Sequence, residues 1–273
     1  MTSQRLMYWG IRFYLVVFFI YLFTPLVIMS VATFNDSRFP TIWPWRATTL
    51  RWFGELASDS AMWAALLNSF VVGIGVLALA VPIGVSAGLF LSTYEGKGKN
   101  IFYSLMLSPL LTPGVIIGIS TLIFWRNLGV SGGIVLTVIA QTTFISAYVM
   151  LMVLARLQRF DRTLERAAYS LGATHWQVVR RVLLPYLKPA IVTASVIAFL
   201  QSFENYNTTL FVRGFDTTLT VYIATKVRTG LTPAVNALGL IMILVTVVLA
   251  VAYEVLRRRE ERLKAARQNV ETL

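Results

Sequence analysis

The sequence predicts an all-α integral membrane protein that crosses the bilayer six times. Of its 273 residues, 57% are hydrophobic and 13% are charged, whereas an average soluble domain is about 45–50% apolar and about 25% charged. The mean hydropathy of +0.70 points the same way. Six stretches approach the roughly 20 apolar residues that a spanning helix needs. These features exclude a disordered chain, a coiled coil and an ordinary soluble enzyme.

The six predicted spans follow one another along the whole chain. They are Ile11–Thr33, Ala64–Leu91, Ile101–Phe124, Ile134–Leu154, Pro189–Phe211 and Ala237–Val255. Arg5 and Arg12 precede the first span as they would precede a signal peptide. Its apolar run is nevertheless long enough to cross the bilayer, and no A-x-A-like cleavage site follows it. An uncleaved first helix is therefore predicted.

The placement of basic residues predicts the orientation of the chain. Of 24 Lys and Arg residues, 17 lie in the N-terminus, the loops 92–100 and 155–188, and the C-terminal tail, and 7 lie in the alternate loops. Basic residues collect on the cytoplasmic side of a membrane protein. Both termini are therefore predicted to be cytoplasmic. The net charge of +12 then reflects topology, and no nucleic-acid partner is expected.

Several kinds of chemistry lack the residues they need. The sequence has one histidine, His175, and no cysteine, so it offers no His or Cys cluster for a metal. It has no G-x-x-x-x-G-K-[ST] loop to hold the phosphates of ATP, because Glu95–Lys99 is only a short basic turn. We expect no catalytic centre and no cofactor in this chain.

The loop 155–188 is too long for a simple connection between two spans. Its apolar residues recur at three- and four-residue steps, which is typical of an amphipathic helix. Such a basic helix can lie on the membrane surface or fill a groove on a partner protein. Periodicity alone does not separate these two interpretations.

Within this loop, the residues resemble the EAA signature of ABC importer permeases, which reads E-A-A, three residues, G, nine residues, I-x-L-P. Val182 replaces the Ile, and Arg166 stands where the signature has its Glu. The family's carboxylate contact to its ATPase is then either absent or supplied by Glu165. The resemblance implies that the residues coupling this chain to an ATPase are Glu165, Ala167, Ala168, Gly172, Leu184 and Pro185.

The resemblance extends over nearly the whole chain. More narrowly, the chain looks like the second permease of spermidine/putrescine importers. It implies a single permease domain over residues 1–273, with the type I importer fold and cytoplasmic coupling helices. It also implies a bacterial inner-membrane location beside a second permease, an external substrate-binding protein and two ATPase subunits that hold ATP and Mg²⁺. Importers of thiamine, iron, phosphonates or amino-acid-like solutes remain alternatives.

The fifth predicted span carries a carboxylate, which is costly at membrane depth. On a continuous helix, four polar residues would lie within roughly 100° of one another and form one stripe: Gln201, Glu204, Asn205 and Thr208. One interpretation is the wall of a translocation path for a cation such as a polyamine, a metal ion or thiamine. The other is a hydrogen-bonded patch between helices, shared with Gln141, Thr142 and Thr143. An ion-coupled secondary transporter is a further, less favoured class.

The predicted topology can be tested with reporter fusions. Fusions at Gly132 and Phe215 should report the outer side, and fusions at Gly98 and Arg159 the cytoplasm, because of the split of basic residues. An inside report at Phe215 would contradict six crossings, most directly at the weakly apolar fifth span.

Overall fold

The computed structural model describes residues 2–230 and 232–271, and within these ranges the regular structure is helical, without a strand. A short π-helix, Val179–Leu183, joins α8 to α9. The α-helices are α1 Thr2–Ala32, α2 Arg51–Ser58, α3 Ser60–Thr93, α4 Lys99–Leu111, α5 Gly114–Asn127, α6 Ile134–Leu157, α7 Thr163–Ser170, α8 His175–Val178, α9 Leu184–Phe203, α10 Thr209–Val212, α11 Leu219–Thr229 and α12 Pro233–Glu271. The all-α prediction is therefore confirmed for the described residues.

Four helical stretches of the described chain are long and apolar enough to cross a membrane. They are Met7–Ala32, Ser60–Thr93, Ile134–Leu157 and His175–Phe203. The pair α4 and α5 makes a fifth candidate if it is counted as one bent span. The predicted span 237–255 falls within α12, whose described apolar part, Pro233–Val248, is shorter, and several of its side chains lie outside the described residues.

The third predicted span, 101–124, is wrong as a single helix. Its two halves, α4 and α5, meet at an angle of 103°. The break has a local cause in Pro113, which has no N–H to donate and restricts the residue before it to extended backbone. Thr112 accordingly has φ −86° and ψ 132°. The chain resumes its helix at Gly114.

The fifth predicted helix is also interrupted. It was expected to run to Phe211 and to carry Gln201, Glu204, Asn205 and Thr208 on one face, but α9 ends at Phe203. Helix resumes only at Thr209, in the single turn of α10. The geometry of one continuous polar stripe is therefore wrong. Side chains such as asparagine compete with the helix for backbone hydrogen bonds, and here they do so across the break.

The chain forms two compact units. The first contains the described residues up to Ser60 and from Thr225 onward, and the second contains Ala61–Ala224. The core of the second unit brings together apolar side chains of α3, α6 and α9, including Val76, Val149 and Leu187, each fully buried. Gly84 lets α3 and α6 approach closely, since a Cβ there would lie 2.6 Å from Val149 Cβ. Both candidate segments described next belong to this unit.

Candidate functional site

Two segments carry the residues singled out by the sequence: the loop from Gln158 to Leu183, which contains the EAA-like signature, and the non-helical stretch 204–208. We call them the signature loop and the polar break. The signature loop includes the beginning of the helical stretch His175–Phe203, and the polar break follows its end.

The side chain of Asp161, two residues before helix α7 of the signature loop begins, bonds the first residue of that helix. Asp161 Oδ1 accepts a hydrogen bond from the Thr163 N–H at 2.9 Å, which satisfies one of the free donors of the first turn. This backbone hydrogen bond, together with one from the Thr163 side chain, holds the pKa of the Asp161 carboxyl below its ordinary value. The carboxylate therefore stays ionised and stabilises the helix start.

Arg162 ties α7 to the end of α3. Its Nη1 donates to Glu165 Oε1 at 2.8 Å, and its Nη2 donates to the Ser92 carbonyl oxygen at 2.9 Å. Ser92 lies in the last turn of α3, where a cation is favoured by the helix dipole. The Glu165 side chain is only 15% exposed. In this structure Glu165 is therefore bonded within its own chain.

Gly172 ends α7 because the turn requires a left-handed residue. Its φ is +81°, a conformation that strains any residue with a Cβ. Gly172 N–H donates to the Tyr169 carbonyl at 2.9 Å, and Ala173 N–H donates to the Ala168 carbonyl at 3.1 Å. This pair of bonds is a Schellman motif, which satisfies the last carbonyls of the helix. A Cβ at Gly172 would meet nothing within 4 Å, so the backbone angle, not packing within the chain, requires glycine.

The second half of the signature forms a rod that continues into α9. Thr174 caps α8 through a capping box with Gln177, in which each side chain bonds the other's backbone N–H. The π-helix follows, and Leu184 donates its N–H to the Val179 carbonyl five residues earlier. Pro185 then occupies the first turn of α9, directly after the π-helix. Leu184 and Pro185 thus sit at the junction between the signature loop and α9.

An exposed apolar surface lies within the signature and next to it. Its members are exposed large side chains of α7, the following turn and α8: Leu164, Tyr169, Leu171 and Trp176. Leu171 is 88% exposed. Ala167 is also exposed, whereas Ala168 is half-buried. We call this surface the signature patch. An exposed apolar patch marks a site where something else packs.

The polar break is held by a buried hydrogen-bond network centred on Gln141 of α6. Gln141 Nε2 donates to Thr209 Oγ1 at 2.8 Å, and Ser202 Oγ donates to Gln141 Oε1 at 2.5 Å. Thr209 in turn donates its N–H and its hydroxyl to Asn205 Oδ1 at 3.2 and 3.1 Å. Of these bonds, the one from the Thr209 N–H to Asn205 Oδ1 satisfies a backbone group at the break, and the others join side chains.

The four path residues of the sequence prediction separate in the structure. Asn205 takes part in the Gln141 network, Gln201 is half-buried, and Thr208 is fully buried. Glu204 is exposed at the end of α9, and its carboxylate has no hydrogen-bond or ion-pair partner among the described residues. Asn207, beside them in the break, is also exposed. The carboxylate is therefore free to meet a ligand or a partner chain.

The alternative patch between helices is present in part. Gln141 bonds across to the break, as that interpretation expects. Thr142 and Thr143 instead donate to carbonyls of their own helix, Val138 and Ala140, both at 2.7 Å. The sequence analysis missed Ser202 and Thr209 as members of the network. No spacing in the sequence signals these two members, because their bonds to Gln141 join residues 61 and 68 positions apart.

The two helix breaks of this unit pack against each other. A Cβ on Gly114, the first residue of α5, would lie 2.9 Å from Thr208 Oγ1, and one on Gly118 would lie 2.7 Å from the Thr208 carbonyl oxygen. The glycines, four residues apart, let α5 lie directly on the polar break. This G-x-x-x-G spacing is a recognised signal of close helix packing that the sequence analysis did not use.

The comparisons with known proteins agree on one family. The family model described as "Binding-protein-dependent transport system inner membrane component" matches residues 80–262. The putrescine transport system permease protein PotI of Escherichia coli K12 is 32% identical over 252 residues, covering 89% of each chain. The spermidine/putrescine transport system permease protein PotC of Haemophilus influenzae is 28% identical, covering 90% of this chain and 95% of its own.

Solved structures show the same fold. A bacterial ABC transporter that imports alginate matches with a TM-score of 0.67 at 15% identity, over 94% of this chain and 97% of the other. The methionine transporter MetNI matches with a TM-score of 0.58 at 21% identity, over 74% and 94%. The chain is thus a multi-pass inner-membrane protein, and it belongs to the family of binding-protein-dependent transport system inner membrane components.

Proposed function

We propose that the chain is a permease subunit of an ATP-binding cassette importer and forms half of its path for a small cation of the polyamine class. The observation that carries the proposal is the exposed, unpartnered carboxylate of Glu204 at a helix break in a chain of this transport family. Putrescine and spermidine, named in the relatives, are polycations at neutral pH, and a carboxylate suits them.

The polar break supports the path assignment on physical grounds. Non-helical backbone at membrane depth is tolerated only where it is buried in protein or lines a water-filled cavity. On the buried side of the break, the Gln141 network pairs the polar side chains with one another. The other side exposes Glu204 and Asn207, and in the proposed complex these polar side chains line the path. In a passage of low dielectric constant, a carboxylate attracts a cation more strongly than it does in water.

The proposed architecture is one permease domain of the type I importer fold. The chain crosses the membrane six times with both termini in the cytoplasm, and α4 with α5 forms the third crossing, while α12 forms the sixth. A second permease completes the path, and an external substrate-binding protein delivers the substrate. Family membership favours this ATP-driven machine over an ion-coupled secondary transporter.

The signature patch is the proposed contact with the ATPase. Two ATPase subunits bind ATP and Mg²⁺ and carry out hydrolysis, and this chain is not catalytic. The exposed Ala167 admits a close partner, Gly172 sets the turn between α7 and α8, and Glu165 orients α7 through Arg162. Ala168 packs on the inner side, and Leu184 and Pro185 begin the helix that leads to Glu204. The movement of the ATPase subunits as they close is thereby transmitted along this helix to the translocation path.

Replacing Gly172 with Val should disconnect the ATPase. The left-handed conformation costs a residue with a Cβ about 1–2 kcal/mol, so the Schellman turn should open and displace α7. The measurement is the amount of ATPase retained per permease after purification of the complex. Gly129→Val is the matched control, since Gly129 has φ +78° and equally free surroundings in another loop. Gly172→Asn should retain more ATPase than Gly172→Val, because Asn adopts the left-handed conformation more readily than Val does. Equal retention by Gly172→Val and wild type would refute the docking role.

Replacing Glu204 with Gln should lower uptake severalfold. The change keeps size and hydrogen bonding but removes the charge that balances a passing cation. The measurement is polyamine uptake per assembled complex in reconstituted vesicles, with ATPase content quantified. Glu95→Gln, at an exposed acid in a connecting loop, is the control and should transport normally. Uptake by Glu204→Gln equal to wild type would refute the path assignment.

A further inference from the structure

Helix α7 carries one charged side chain on its outward face, the guanidinium of Arg166. Its backbone bonds Arg162 and Ser170, but the side chain is exposed and has no hydrogen-bond or ion-pair partner among the described residues. The neighbouring acid, Glu165, is turned inward and held by Arg162 at 2.8 Å. The free charge of α7 is therefore positive.

Other exposed side chains of the signature loop add to this positive charge. Arg180 and Arg181 are exposed farther along the signature loop. The exposed acid of the loop, Asp161, already accepts the Thr163 N–H. The described surface of the signature loop thus combines the exposed apolar side chains of the signature patch with exposed basic side chains.

We infer that the ATPase receives α7 in an apolar groove and presents a carboxylate to Arg166. The inference rests on the proposed function. Docking of the signature patch removes water from Arg166, and a charge that loses water without gaining a partner is strongly destabilising. A carboxylate compensates this loss, because it accepts two parallel hydrogen bonds from one guanidinium.

This assignment is opposite to what the usual signature would require. A groove built for the Glu of the EAA pattern would present a cation or a hydrogen-bond donor at this place. Glu165 does not restore that contact here, because its carboxylate is engaged by Arg162. The two possibilities predict opposite effects of one substitution, Arg166→Glu.

The test expresses the permease together with its partner permease and ATPase and measures ATPase retained per permease at low and high salt. Arg166→Glu should lower retention at least tenfold, and Arg166→Gln should lower it less. The matched control is Arg159→Glu, which makes the same charge change at an exposed arginine of the signature loop outside α7. It should stay within twofold of wild type. Retention by Arg166→Glu equal to or above wild type would overturn the inference.

A second measurement identifies the partner group. Because the chain has no cysteine, Arg166→Cys provides a unique point for cross-linking to the ATPase. The acid of the ATPase nearest the cross-link is then replaced by Lys. This reversed charge should restore ATPase retention by the Arg166→Glu permease. If no acid lies at the cross-linked site, or if the reversal restores nothing, the inference is wrong. A wild-type complex that retains no ATPase would instead refute the proposed function itself.

Discussion

The structure depends on one constraint: backbone polar groups in an apolar environment must find partners. Long helices meet it by themselves, and α3, α6 and most of α9 do so. At the polar break the chain gives up helix bonds, and Asn205 Oδ1 accepts the backbone N–H of Thr209. The buried side chains of Gln141, Ser202 and Thr209 are paired with one another. The exposed carboxylate of Glu204 lies at the start of the polar break and takes no part in this network. A costly feature of this kind is typical of a functional site.

A single helical rod joins the two candidate segments. The stretch His175–Phe203 spans 29 residues, or roughly 43 Å at 1.5 Å per residue. Its first turn follows Gly172, and the residue after its last turn is Glu204. In the proposed function, this element is the route by which a partner docked at α8 would act on the polar break. Arg162 adds a second connection, from α7 to the end of α3.

Periodicity and composition predicted much of this arrangement. The all-α class and the positions of the long apolar helices follow from hydropathy, and Gly172 follows from its place after a helical pattern. The 103° bend between α4 and α5 was not predicted, because hydropathy is high on both sides of Thr112 and Pro113. Gly114 and Gly118 lie close to Thr208, a long-range contact that hydropathy does not show. The end of α9 was missed, because hydropathy cannot show that Asn205 bonds Thr209 in preference to continuing the helix.

The central claim is that the polar break lines a water-filled path for a cation. The most direct test places a single cysteine in this cysteine-free chain by Asn207→Cys and measures its labelling by a membrane-impermeant thiol reagent in the reconstituted complex. Val196→Cys, on the exposed apolar side of α9, is the comparison. The account predicts rapid labelling of Asn207→Cys that polyamine slows, and little labelling of Val196→Cys. Labelling of Asn207→Cys as slow as that of Val196→Cys, or unaffected by polyamine, would contradict it.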